Sequence, residues 1–174
     1  MMNPHTLFLF VMLSLFVSCT QENEISSMNS HDWEQRSVHP AGLTSLETGR
    51  TYLSVYSQIY SQNEHKTHDL TVTVSMRNPN PEDSVFIYKA EYFDNSGASI
   101  RTYFDKPIFL APMETAEIII DERDKTGGTG ANFLFDWNKN PDINSPIFEA
   151  VMISTYGQQG LSFTTQGVEV SNGL

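Results

Sequence analysis

Asp121-Glu122-Arg123-Asp124-Lys125 is followed directly by Thr126 and then by Gly127, Gly128 and Gly130, so charge and backbone freedom coincide in one short stretch. Glycines reach positive φ and let successive amides point the same way, which builds an anion-binding nest, whereas the neighbouring carboxylates suit a cation. These uses oppose each other. The spacing lacks the Gly-Lys-Ser/Thr ending of a phosphate loop, a third glycine at dinucleotide spacing and the Asp-x-Asp-x-Asp-Gly pattern of a calcium loop. A self-paired turn is the plainer reading, with Arg123 and Lys125 neutralising adjacent acids. Glu122, Arg123, Asp124, Gly127, Gly128, Gly130 and Asn132 form the candidate binding loop. It is expected to be ordered, with Arg123 paired to a carboxylate and Asn132 closing the turn.

Glu149 is the second candidate. Strand alternation groups it with Ile147, Val151 and Ile153, so if that face is the core face, Glu149 is a buried carboxylate and needs a cation such as Arg123. Such a pair would clamp the glycine loop or belong to a functional site, the clamp being the simpler role. Glu64-His65-Lys66-Thr67-His68-Asp69 offers histidines and acids, but it reads as a loop and Lys66 opposes a cation, so no metal is expected there. Tyr52, Tyr56 and Tyr60 fall on one face and would make either a stacking platform or ordinary cross-strand packing, the latter being commoner. No motif for a catalytic residue, metal or cofactor emerges.

Cys19 is the only cysteine and follows the apolar run Leu7 to Val17. That run has the length of a signal-peptide core and falls short of the roughly 20 residues needed to span a bilayer. Phe16-Val17-Ser18-Cys19 resembles a bacterial lipobox, in which the cysteine thiol takes a diacylglycerol before cleavage. Phe16 is bulkier than the usual leucine, and Met1 to Thr6 contains no Lys or Arg. The expectation is a signal peptide over 1–18, a lipidated Cys19, and a flexible polar tether over 19–49. Trp33, Val38 and Leu43 are the tether residues able to dock on the domain.

The elements that must position these residues are strands. Leu70, Val72, Val74 and Met76 alternate with Thr71, Thr73, Ser75 and Arg77, the pattern of a half-buried strand. Asn78-Pro79-Asn80-Pro81 ends it, because proline lacks a ladder donor. Asp94-Asn95-Ser96-Gly97 reads as a hairpin turn whose Asn and Gly supply positive φ, and Gly157 to Gly160 reads as the turn of a final hairpin. About eight or nine short strands without an intervening amphipathic helix imply an all-β domain over 50–174. The expected architecture is an antiparallel two-sheet β-sandwich, immunoglobulin-like but without that fold's cysteine pair, with a small β-barrel as the alternative.

Tyr52-Leu53-Ser54-Val55-Tyr56-Ser57, Glu122-Arg123-Asp124-Lys125-Thr126-Gly127-Gly128-Thr129-Gly130-Ala131-Asn132-Phe133, Glu149-Ala150-Val151-Met152 and Gln159-Gly160-Leu161-Ser162-Phe163 resemble the bacterial family catalogued as domain of unknown function 3124. The likeness runs from about Arg50 to Val170. It implies a small exported bacterial domain and carries no activity or catalytic residue with it.

The formal net charge is −11, and every charged residue follows Cys19. Such an acidic surface repels polyanions, so a nucleic-acid partner is disfavoured. Roughly 155 residues after cleavage suffice for one sizeable core. The reading is a non-enzymatic module of the cell envelope, anchored by lipid to a bacterial membrane, the outer one where there are two. It would bind another envelope protein or a small ligand. An enzyme of unrecognised type with its site at Glu122 to Phe133 is the alternative, and a purely structural lipoprotein comes third.

Overall fold

The computed structural model describes residues 30–39, 46–104, 106–155 and 160–171. Cys19, the expected signal peptide, Leu43 and the tip of the last hairpin lie outside the described residues. A short helix, α1 (Ser30–Gln35), precedes β1 (Glu47–Val55), β2 (Gln58–Ser61), β3 (Asn63–Asp69), β4 (Thr71–Arg77), β5 (Val85–Phe93) and β6 (Ser99–Thr102). Then come β7 (Ile108–Leu110), β8 (Thr115–Ile120), β9 (Ala131–Lys139), β10 (Ile147–Ser154), β11 (Leu161–Gln166) and β12 (Val168–Val170).

The strands form one sheet ordered β12-β1-β9-β5-β6, with β7 also on β5, and a second ordered β11-β10-β4-β8. All pairings are antiparallel. Neither sheet closes on itself, so the domain is a two-sheet sandwich and not a barrel. Alternation sets the core: Leu70, Val72, Val74 and Met76 are fully buried, opposite Ala116, Ile118 and Ile120 on one side and Phe148, Ala150 and Met152 on the other. The facing sheet contributes Leu53, Val55, Phe133, Phe135 and Trp137. Phe135 and Phe148 stack across the two layers with centroids 4.3 Å apart, a contact worth about 1 kcal/mol beyond its burial. A bulge between Ile87 and Lys89 slips the alternation of β5 by one residue, which keeps Ala90 and Tyr92 inward after Ile87.

Two elements depart from the expected strands. Glu64 to Asp69 belongs to β3 and pairs with β2 in a separate ribbon turned at Gln62, whose φ is 68°. Its side chains are mostly exposed, so no period-two apolar signal marks it as a strand. The expected final strand is broken at Gly167, where the chain leaves one sheet for the other. A Cβ there would lie 2.6 Å from Thr51 Cγ2, so only glycine allows this crossing.

Asn-Pro-Asn-Pro does end β4, and its two asparagines fasten the neighbouring connections. The Asn78 amide donates to the carbonyls of Asp83, Leu110 and Ala111. Asn80 exchanges hydrogen bonds with the backbone of Asn144, tying this loop to the β9–β10 connection.

Part of the expected tether is docked. Ser37 bridges Ile108, Val38 N donates to Pro107 O, Phe109 N donates to Arg36 O, and Arg36 pairs with Glu114. Residues 36–38 thereby act as an extra strand on the free side of β7, covering backbone groups that an edge would leave open. Trp33 packs on Phe104 with centroids 5.4 Å apart.

Candidate functional site

The segment between β8 and β9 is an ordered loop in which Asp121, Arg123, Asp124, Lys125 and Thr126 are engaged with the protein itself. Asp121 receives the Arg123 backbone N–H, Nε and Nη2, each at 2.9 Å. These bonds hold the Asp121 carboxyl at a pKa of about 2. Asp124 N then donates to Asp121 O, turning the chain inward. Asp124 itself is buried at 4% exposure. One of its oxygens accepts from Thr126 N and Oγ1, and the other from Nη1 and Nη2 of Arg101. Arg101 also donates to the Tyr103 hydroxyl.

The glycines fit the loop closely against its neighbours. At Gly127 a Cβ would lie 1.9 Å from Tyr92 Oη, so a side chain is excluded. Tyr92 is fully buried, and burial pushes its phenol pKa up, with the nearby Ser57 offsetting part of the rise. The Ser57 hydroxyl spends its own hydrogen on Gly128 O, and Tyr92 Oη lacks a partner at hydrogen-bond geometry among the described residues. Gly128 has φ 71°, and its carbonyl accepts from Gln58 N as well as from Ser57 Oγ. Gly130 N donates to Asn95 Oδ1 at 2.7 Å, while Asn95 Nδ2 donates to Thr129. Lys125 reaches Asp69 at 2.7 Å.

An anion nest needs free amides, yet those of Thr126, Gly128 and Gly130 are already bonded within the protein. Glu122 is exposed at the loop's outer turn. Asn132 does not close the turn. It lies in β9, in register with Ser54 and Phe93, and Asn95 from the β5–β6 turn performs the closure instead. In that turn the positive φ belongs to Gly97, at 81°, and not to Asn95.

Glu149 is not the buried carboxylate. The inward residues of β10 are Phe148, Ala150 and Met152, so Ile147, Glu149, Val151 and Ile153 form the outer face. Glu149 is 34% exposed and pairs with Arg77 at 2.7 Å, not with Arg123. The alternation is legible in the sequence, but four apolar or acidic residues on one side and three apolar ones on the other do not reveal which side is inward. Asp124 holds the buried-acid role. Its cation, Arg101, carries no local signal because it comes from another hairpin.

The tyrosine row is interrupted, since β1 ends at Val55 and β2 begins at Gln58. Tyr56 packs edge-on against Phe163, and Tyr60 stands exposed on the ribbon. Among the described residues no three His, Cys, Asp or Glu side chains converge as a metal site.

Two clefts flank this framework. One, of about 420 Å³, lies at the Gly167 crossing and is bordered by Thr51, Glu149, Gln166 and Glu169. The other, of about 360 Å³, lies where Trp33 docks beside Tyr103, Phe104 and Lys106.

A family model described as a protein of unknown function, DUF3124, matches residues 48–170, from the second residue of β1 to the last of β12. The chain belongs to the DUF3124 family. The match takes in both sheets, the glycine loop and Arg101, whereas the docked Trp33 segment precedes it. No curated protein and no solved structure matches this DUF3124 chain.

Proposed function

We propose that this DUF3124 domain is a non-enzymatic module of the bacterial cell envelope, held to a membrane by lipid on Cys19, that binds another envelope protein through the outer face of its four-stranded sheet. One observation carries the reading. Ile147, Val151 and Ile153 stand 45, 36 and 42% exposed in the outward column of β10, where the Glu149–Arg77 pair lies between Ile147 and Val151. Thr71 and Thr73 flank this column on β4, and Ser162 and Thr164 flank it on β11, with no charged side chain opposite Val151 or Ile153. Single exposed aliphatics are ordinary, but Val151 and Ile153 side by side among threonines and serine, with a charged pair at their border, have the composition of a protein contact with a polar rim. The glycine loop supports the same reading, because Asp121, Arg123, Asp124 and Lys125 are paired within the domain and serve the frame. The apolar run before the lone Cys19 supplies the reason for an envelope address, with the outer membrane as the destination where the cell has two.

A photo-crosslinking residue at Val151 tests the partner face in intact cells. A discrete adduct is expected from Val151, none from a probe at Tyr88 on the other sheet, and loss of the adduct when Ile153→Asp is added. Equal labelling from both sheets would end this reading.

A further inference from the structure

We propose that β11 is an interface strand whose free edge pairs antiparallel with β11 of a second copy of this chain, about a two-fold axis at Phe163. β11 pairs with β10 and, among the described residues, with no other strand. The direction of its open backbone groups follows from one bond. Gly167 N donates to Phe148 O, and these two residues stand opposite each other when the β10–β11 register is continued, so Gly167, Thr165, Phe163 and Leu161 turn their backbone groups toward β10. Ser162 and Thr164 therefore point theirs away from it, and both residues are exposed.

The other edges are each blunted by a recognisable device. Residues 36–38 cover β7. β12 is three residues long with Glu169 at its centre, β8 carries Glu117, and β6 carries Arg101 and joins β5 across a bulge. In the ribbon, β3 carries Glu64, Lys66 and Asp69, and β2 is four residues long and bulged. β11, Leu-Ser-Phe-Thr-Thr-Gln, has six residues with no charge, proline or register shift. Its core-facing side is also incompletely covered. Leu161 and Phe163 lie opposite Ser154 and Met152, which are 7% and 0% exposed, yet Leu161 is 38% exposed and Phe163 only partly buried.

Charge selects the occupant. The chain carries a net −11, so two copies repel wherever acidic surfaces meet, whereas a basic foreign segment would be drawn to an edge that bears carboxylates. β11 bears none, which suits a neutral strand, and its own twin is one. A two-fold axis at Phe163 sets Ser162 opposite Thr164 of the second copy and each Phe163 against the other. In every such Ser162–Thr164 pair both N–H groups and both carbonyls are bonded, hydroxyl faces hydroxyl on the outer side, and ring meets ring on the inner side. The result is one continuous sheet with four strands from each copy, presenting both Val151–Ile153 columns on the same surface. The edge is distinct from that surface, so the dimer stands or falls independently of the envelope-partner reading.

The test uses the full chain in detergent. Sedimentation equilibrium of the wild type should show a monomer–dimer equilibrium with a Kd of about 0.1 mM or tighter, the weak end expected of a small contact. Thr164→Pro removes an N–H that faces away from β10, and Ser162→Lys places a charge on the edge; each should weaken dimerisation at least about tenfold while the melting temperature stays nearly unchanged. The two act through different chemistry, so a proline that disturbs the fold leaves the lysine variant to decide. For the register, Ser162→Cys and Thr164→Cys chains, each with Cys19→Ala so that no other thiol is present, are mixed and oxidised. The heterodimer should be the main disulfide-linked species, because opposed residues lie about 5.5 Å apart at Cα and like residues, on the diagonal at about 7–8 Å, exceed disulfide reach. The proposal is overturned if the wild type stays monomeric at about 1 mM, if Ser162→Lys dimerises like the wild type, or if oxidation favours either homodimer as much as the heterodimer. A photo-crosslinking residue at Ser162 that captures a different protein and never this chain in intact cells would equally assign the edge to another occupant and overturn it.

Discussion

Arg101 places both terminal guanidinium nitrogens 3.1 Å from one carboxylate oxygen of Asp124, fastening the glycine loop to a strand that lies 23 residues earlier in the chain. Asp124 is nearly inaccessible, so removing Arg101 leaves a buried carboxylate without a counter-charge. Arg101→Met should destabilise the domain by about 2–3 kcal/mol in urea unfolding, discounted from a fully buried pair because the guanidinium retains some exposure. Arg123→Ala, by contrast, should leave the melting temperature nearly unchanged, since Arg123 is more than half exposed and its side chain bonds only Asp121 among the described residues. A larger loss from Arg123→Ala than from Arg101→Met would reverse this assignment of roles.

The Asp121 carboxyl gives a pH prediction. Hydrogen bonds from Arg123 lower its pKa from 3.8 to about 2 in the folded protein. A depressed folded pKa contributes stability above the unfolded value, and that contribution disappears as pH falls through the folded one. The loss therefore belongs between pH 3.8 and about 2, and is small because the pair is solvent-screened. Carbon NMR of the Asp121 carboxyl should titrate with a midpoint near 2 in the wild type and shift upward in Arg123→Ala, stopping short of 3.8 because the backbone N–H of residue 123 still donates to it. An unchanged midpoint in the variant would show that Arg123 is not the cause.

The strand pattern of Leu70 to Met76 is legible in the sequence because each residue's face is a local property. The tertiary partners of the glycine loop are not. Arg101 and Asn95 come from the strand and the turn of the β5–β6 hairpin and Ser57 from the β1–β2 connection, and nothing in their local sequence distinguishes them from ordinary polar strand and turn residues. Within the loop, the pairing of Arg123 with a carboxylate is legible, because Asp121 lies two residues away. The exposure of Glu149 is hidden for a related reason. Alternation separates two faces but does not say which one meets the other sheet, and here the side carrying Phe148 and Met152 does.

Gly127 and Tyr92 are expected to be energetically coupled. A methyl group at Gly127 would overlap the Tyr92 hydroxyl, and the loop is held at both ends, so it cannot retreat freely. Gly127→Ala should cost about 1–3 kcal/mol of stability. Tyr92→Phe alone should be neutral or mildly stabilising, because the buried hydroxyl it removes has no hydrogen-bond partner among the described residues. Combining the two should recover part of the Gly127→Ala loss, though the ring carbon at 2.7 Å prevents full recovery. Strict additivity in thermal melts would refute the contact.

Cys19 is expected to be the first residue of the mature protein and to carry lipid. The expectation rests on length and on chemistry. Leu7 to Val17 is too short for a bilayer span, so if the protein is retained at a membrane, that run alone does not hold it there. The chain's only thiol follows closely, where an exported protein would otherwise expose a reactive cysteine with no intramolecular partner. Intact-mass analysis should find a chain beginning at Cys19 with added acyl mass, recovered in the membrane fraction. Cys19→Ala should abolish that mass and leave the melting temperature of the sandwich unchanged, because the sandwich strands begin only at Glu47. Recovery of the wild type in the soluble fraction with an unmodified thiol would remove the anchor, while the two-sheet fold and the Arg101–Asp124 clamp would stand without it.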